Sequence, residues 1–152
     1  MGIKKAALSD CSIIKKISET TILDVYPHYY PKGAVDFFLE HHSEENIKND
    51  ILKNQVFLWA DEDQDIAGTV TIKKNEICRL FVLPVYQGRG YGKELLDYAE
   101  KMIFKNYAEI ILAASFPAKT LYQKRGYHEI EFHVMETKED DYLCYDVMVK
   151  RR

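Results

Sequence analysis

RLFVLPVY (79–86), QGRGYG (87–92) and KELLDYAEKMIF (93–104) follow one another without a break. The first segment is built of strand formers. The third repeats Leu95, Leu96, Ala99, Met102 and Ile103 at helical spacing, which predicts a helix from about Gly90 to Asn106. A helix opens with about four N–H groups that have no partner inside it, and Ser, Thr, Asp or Asn normally supplies one. Here the opening positions are Gln, Gly, Arg, Gly, Tyr and Gly, followed by Lys93. A cation at that end costs about 0.3–1 kcal/mol against the helix dipole. The charge is wrong for an empty helix mouth and right for one that receives an anion, because glycines let the chain curl its N–H groups inward around a phosphate. Arg89 and Lys93 would add charge to that anion site, whereas Glu94 in the same turn works against it. The alternative is a glycine-rich connector that holds nothing.

Outward from this stretch the chain reads as strands mixed with helices. Residues 3–8 form a first strand, and Ser9 or Asp10 caps a helix whose Ile13, Ile14, Ile17 and Ile22 fall near one face. VYPHYYPKG (25–33) breaks it, and a second helical region covers about Ala34 to Leu52 in two pieces divided near Ser43. Strands at 56–60 and 66–72 form a hairpin across DEDQD, and EICRLFVLP (76–84) follows. After the central helix, EIILAA (109–114) is short and uniformly apolar, as a buried strand is. Pro117, Lys124, Arg125 and Gly126 fit the first turn, the last turn and the stop of another helix. Strands near 127–135 and 142–149 close the chain. Helices and strands do not strictly alternate, so the expected class is α+β with a mixed sheet covered by helices on both faces.

The bulk composition narrows the setting. At 152 residues, 47% hydrophobic and 30% charged, the chain has the size and make-up of one globular domain, expected to span residues 1–152. Its apolar runs are too short to cross a bilayer, and MGIKKAALSD lacks the apolar stretch of a secretory signal, so a cytoplasmic protein with no membrane partner is expected. A net charge of -3 gives no general attraction to nucleic acid. Cys11, Cys78 and Cys144 are scattered and odd in number, and the adjacent His41 and His42 point in different directions, so no disulfide framework and no metal site are assigned.

The phosphate ligand can be narrowed by what the loop is not. A Walker loop needs Ser or Thr where Glu94 stands, and a dinucleotide fingerprint needs glycine at Lys93 or Leu95. What does fit is Gln87, Gly90 and Gly92, the pattern Q/RxxGxG/A directly after a strand ending FVLP. This resembles motif A of the GCN5-related N-acetyltransferases, the GNAT family. LYQKRGY (121–127) is similar to that family's LYxKxGF segment, and the order of elements agrees along nearly the whole chain.

The resemblance implies a mostly antiparallel sheet of about seven strands, splayed between the fourth and fifth, and acetyl-CoA as co-substrate. It implies that Gln87, Gly88, Arg89, Gly90, Tyr91, Gly92 and Lys93 receive the pyrophosphate. Phe81 and Val82 would hold the pantetheine arm, with the Val82 N–H polarising the acetyl carbonyl. Tyr122 matches the family's general acid, and its alternative is a packing tyrosine. Glu76, eleven residues before Gln87, matches the glutamate base of histone-acetylating members, and its alternative is a solvated strand end. Ser115 stands where many members carry a cofactor-binding Asn, and serves as a weaker cofactor contact or as a helix cap.

For the acceptor, Tyr26, Tyr29 and Tyr30 in VYPHYYP line its entrance or pin two helices together. ETKEDD (136–141) attracts a cationic amine or is a solvated turn. The expected reaction is acetylation of a primary amine, on a small molecule or a peptide, by direct attack in a ternary complex, in a monomer or homodimer. The alternatives are a non-catalytic acyl-CoA-binding sensor or interaction module, and a nucleotide-binding protein unrelated to acetyl transfer.

Overall fold

VFLWA is buried at every position because both faces of its strand are covered. Phe57 and Trp59 pack with Leu95, Leu96 and Ala99, whereas Val56 and Leu58 pack with Ile14 and Ile47. The computed structural model describes residues 1–152. The strands are β1 (Gly2–Lys5), β2 (Val56–Ala60), β3 (Ile66–Lys73), β4 (Glu76–Val82), β5 (Glu109–Ala114), β6 (His128–Glu136) and β7 (Tyr142–Arg151). The helices are α1 (Cys11–Val25), α2 (Lys32–His41), α3 (Glu44–Leu52), α4 (Tyr91–Phe104) and α5 (Phe116–Lys124). One sheet runs in the order β1-β2-β3-β4-β5-β7-β6. Every pair in it is antiparallel except β4 with β5.

That parallel pair is the opening in the fold. β4 and β5 are in register only at Glu76 and Ile111, where Ile111 N also donates to Asn75 O at 2.9 Å. Beyond this point the two strands part, so the sheet splays between its fourth and fifth strands toward the end where the glycine loop lies. A bulge marks the same strand: Phe81 pairs with Thr69 and Cys78 with Thr71, leaving Arg79 and Leu80 together opposite Val70. Arg79 takes a left-handed φ of 44° there, which re-aims its side chain out of the strand's alternation.

Local signals place most boundaries within two residues. Ser43 caps α3, its Oγ accepting from Asn46 N at 3.3 Å. α5 ends in a Schellman turn: Tyr127 N donates to Tyr122 O, Gly126 N donates to Gln123 O, and Gly126 sits at φ 93°. Two expectations are corrected. The first strand stops at Lys5 because residues 8–10 turn into a 3₁₀ helix. Asp10 does not cap α1 through its side chain; its carboxylate accepts from Ala7 N at 2.8 Å instead.

Candidate functional site

The glycine loop is an array of free donors. Gly88 and Gly90 adopt φ of 80° and 87°, a backbone that side-chain-bearing residues avoid, and Gly90 occupies the N-cap of α4 without offering a cap. The N–H groups of residues 88–93 donate to no acceptor in the protein, whereas the flanking Gln87 N and Glu94 N bond to Pro84 O and Gly90 O. Glu94, expected to work against an anion, and Lys93, expected to add charge to it, are both engaged elsewhere. Glu94 accepts from the Trp59 indole N–H, and Lys93 pairs with Asp97 at 2.8 Å. Arg89 stands over the Tyr86 ring at 5.4 Å.

Val82 lies where the strand gives way to this loop. It faces Gly68 on β3, and Leu83 N donates to Ala67 O at 2.9 Å, the pattern of a non-hydrogen-bonded antiparallel pair. The N–H and C=O of Val82 therefore point away from β3 and into the gap left by β5. Its carbonyl is taken by Gln87 Nε2 at 2.9 Å and Thr21 Oγ1 at 3.5 Å. The N–H on the same side faces the opening.

Along the gap runs a cavity of about 320 Å³, whose lining includes Tyr26, Glu76, Phe81, Ser115 and Tyr122. Tyr122 is 7% exposed and packs edge-to-face on Tyr127 at 5.5 Å. Burial first, then the neighbouring Tyr26, pushes its phenol well above the ordinary range, so it carries its proton at any working pH. Tyr127 OH donates to Glu100 at 3.0 Å, and Glu100 also receives Arg125 and Lys150, so the support behind Tyr122 is an ion-paired anchor between α4, α5 and β7. Glu76 is exposed at the strand start, where Cys78 Sγ lies 3.5 Å from its carboxylate. Burial, then Glu76, pushes the Cys78 thiol up to about 12, so it is no nucleophile at neutral pH.

The remaining predicted residues divide. Tyr26 lines the cavity, but Tyr30 is buried against Phe38 and Phe116, its OH accepting from Phe116 N at 2.8 Å, and Tyr29 is 53% exposed. Neither Tyr29 nor Tyr30 lines the cavity, and Tyr30 pins α2 to the start of α5 through Phe38 and Phe116. Ser115 is at the N-cap of α5, yet its hydroxyl makes no capping bond. Sequence reading missed the buried polar group at the other end of the cavity, His42, Arg79 and Asp50. Its one trace in the sequence is the arginine inside the apolar strand ICRLFV.

The acetyltransferase (GNAT) domain family matches residues 25–150 of the chain. The chain belongs to this family and is by class an acyl-CoA-dependent N-acetyltransferase. It is similar to the spermidine N(1)-acetyltransferase of Thermoplasma acidophilum, 27% identical with 68% of this chain and 70% of that one covered. It is also similar to the N-alpha-acetyltransferase of Sulfurisphaera tokodaii, 27% identical with 93% and 89% covered. The fold resembles that of the PaiA N-acetyltransferase of Thermoplasma acidophilum in complex with coenzyme A, at a TM-score of 0.73 and 23% identity over 99% of this chain and 98% of that one.

Proposed function

We propose that the protein transfers the acetyl group of acetyl-CoA to a primary amine by direct attack in a ternary complex. The observation that carries this reading is the Val82 N–H facing the gap, between the free N–H groups of residues 88–93 on one side and the cavity with Glu76 and Tyr122 on the other. The residues present fit the cofactor: an anion satisfies the loop donors, and an extended chain fits beside a strand that has lost its neighbour. When bound, acetyl-CoA supplies an activated acyl group and a thiolate that can leave.

Each residue then has one task. Residues 88–93 bind the pyrophosphate through their free backbone N–H groups, Gln87 steadies the loop through its side-chain bond to Val82 O, and Phe81 and Val82 align the pantetheine arm. Glu76, through water, removes a proton from the acceptor ammonium. The amine nitrogen bonds to the carbonyl carbon while the carbon–sulfur bond breaks, and the Val82 N–H stabilises charge gathering on the carbonyl oxygen. The Tyr122 hydroxyl gives its proton to the departing sulfur, and the second proton, shed by the acylated nitrogen, restores that hydroxyl. The names of the two relatives, a spermidine and an N-alpha-acetyltransferase, support an amine as acceptor.

The test is release of free thiol from acetyl-CoA across a panel of amines. Turnover with at least one amine is expected, and Glu76→Gln should cut kcat by about tenfold or more while coenzyme A binds as before. A panel without turnover overturns the reading, and an unchanged kcat removes Glu76 from it.

A further inference from the structure

The polar end of the cavity contains two donors that the mechanism above does not use. Arg79 Nε donates to His42 Nδ1 at 3.1 Å. A guanidinium has no lone pair to offer, so Nδ1 must be the acceptor and the imidazole proton resides on Nε2. The tautomer is thus fixed by its neighbour. Arg79 is itself held by Asp50 at 3.0 Å and by Thr71 Oγ1 at 2.9 Å, and its side chain is 3% exposed. The His42 ring is wedged edge-on between His41, at 5.0 Å, and Phe81, at 5.2 Å. Burial, then Arg79, lowers its pKa to about 3, so it is neutral through the physiological range.

His42 is 8% exposed and lines the cavity, yet its Nε2 has no partner in the protein and is not sealed away from the cavity space. The same holds for Arg79 Nη2, whose sister nitrogens are both engaged. Two N–H donors therefore open onto the cavity from a framework that cannot turn. A ligand oxygen that meets these donors forms hydrogen bonds whose geometry the protein has already set. The local charge says which oxygen. Asp50 is shared by Arg79 and Lys73, at 3.0 Å from each, the Glu76 carboxylate on the same cavity wall balances the remaining cation, and His42 is neutral, so a carbonyl is matched better than a carboxylate. An ammonium, with no lone pair, is not matched at all. Position agrees as well: His42 rests on Phe81, the residue before Val82, and the amine nitrogen and carbonyl oxygen of an aminoacyl group are only three bonds apart.

We propose that His42 Nε2–H, joined by Arg79 Nη2–H, forms a subsite for a carbonyl oxygen of the acceptor, so that the preferred acceptor is an α-amino amide such as a peptide N-terminus and not a polyamine. The subsite rests on the acetyl-transfer reading for its occupant. Glu76 deals with the amine and His42 with the carbonyl beside it.

The test uses the wild-type protein first. Acetylation of glycinamide is compared with that of propargylamine, an amine of similar basicity with no oxygen, and with spermidine. Glycinamide should be preferred in kcat/KM by about tenfold or more, the worth of one well-placed hydrogen bond and the penalty of leaving its donor bare. His42→Phe should shrink that ratio by about the same factor; a ratio that stays fixed contradicts the subsite. Because a buried histidine can be needed for folding, the ¹H–¹⁵N histidine spectrum of the wild type gives a second readout: glycinamide added with coenzyme A should shift the Nε2 resonances of His42, and propargylamine should not. If spermidine is acetylated in preference to glycinamide, acetyl transfer stands and the subsite falls. If no amine is acetylated while glycinamide still shifts His42, the subsite stands and acetyl transfer falls. If glycinamide leaves the His42 resonances unmoved, the subsite is overturned whatever the turnover.

Discussion

The two ends of the groove are built on opposite plans. At the mouth of α4 the contacts are backbone N–H groups from six consecutive residues, exposed and held open by two glycines with positive φ. At the far end they are side chains from α2, α3, β4 and α5, nearly all buried and each fixed by another: Asp50 holds Arg79, Arg79 holds His42, and Tyr127 backs Tyr122. The first plan suits a ligand group that never varies, since main chain offers the same donors whatever the side chains do. The second suits an acceptor that varies, since each side chain can be exchanged one at a time. Division of labour between constant and variable substrate is thereby written into the material of each wall.

The largest effect should come from the side-chain end. Tyr122→Phe deletes the proton donor and should lower kcat by about a hundredfold or more, with the affinity for coenzyme A unchanged. Steady-state kinetics beside calorimetry would separate the two, and a kcat within twofold of wild type would return Tyr122 to a packing role. Next is the backbone end. Gly90→Ala forces a side chain into the left-handed region at about 1–2 kcal/mol, and because the strain falls on the binding conformation the Kd for coenzyme A should rise about tenfold. An unchanged Kd would mean that the loop is not shaped for the ligand.

A smaller effect tests how the far end is buried. Folded His42 resists protonation until about pH 3, whereas in the unfolded chain it titrates near the ordinary imidazole value of 6.5. As the pH falls through that window the unfolded state takes up a proton that the folded state refuses, so stability falls by up to about 1.4 kcal/mol per pH unit from this group. Urea midpoints between pH 7 and 4 should show the slope and His42→Gln should flatten it; equal slopes would place His42 in contact with water. Least of all, Ser115→Ala should change stability by less than about 0.5 kcal/mol, because the hydroxyl does not cap α5. A loss near 1 kcal/mol in thermal unfolding would reveal a cap after all.

The same contrast explains what could be read from the chain alone. Gln87, Gly90 and Gly92 are close in sequence, and their meaning is set by the strand before and the helix after, so the loop was legible without coordinates, and the splayed sheet and the place of Val82 came with the family resemblance those residues carry. Glu76 and Tyr122 were reached through the family resemblance, the first by its distance from Gln87 and the second by LYQKRGY, and both line the same cavity. The tyrosines of VYPHYYP were ambiguous because an aromatic cluster between two prolines serves packing and binding alike. Only Tyr26 reaches the cavity. The polar end left only the arginine of ICRLFV as a sign: Asp50, His42 and Arg79 meet only after α2, α3 and β4 are folded together, and a one-residue bulge turns Arg79 toward them. Nothing in a linear pattern of residues announces a bulge.

Whether the groove receives coenzyme A is answered by titrating the ¹⁵N-labelled protein with it and following the backbone amide resonances. The amides of residues 88–93 and of Val82 should move first and furthest, in saturable fashion, as their N–H groups acquire partners. If those resonances stay in place while coenzyme A binds elsewhere, or does not bind, the assignment of the groove is contradicted.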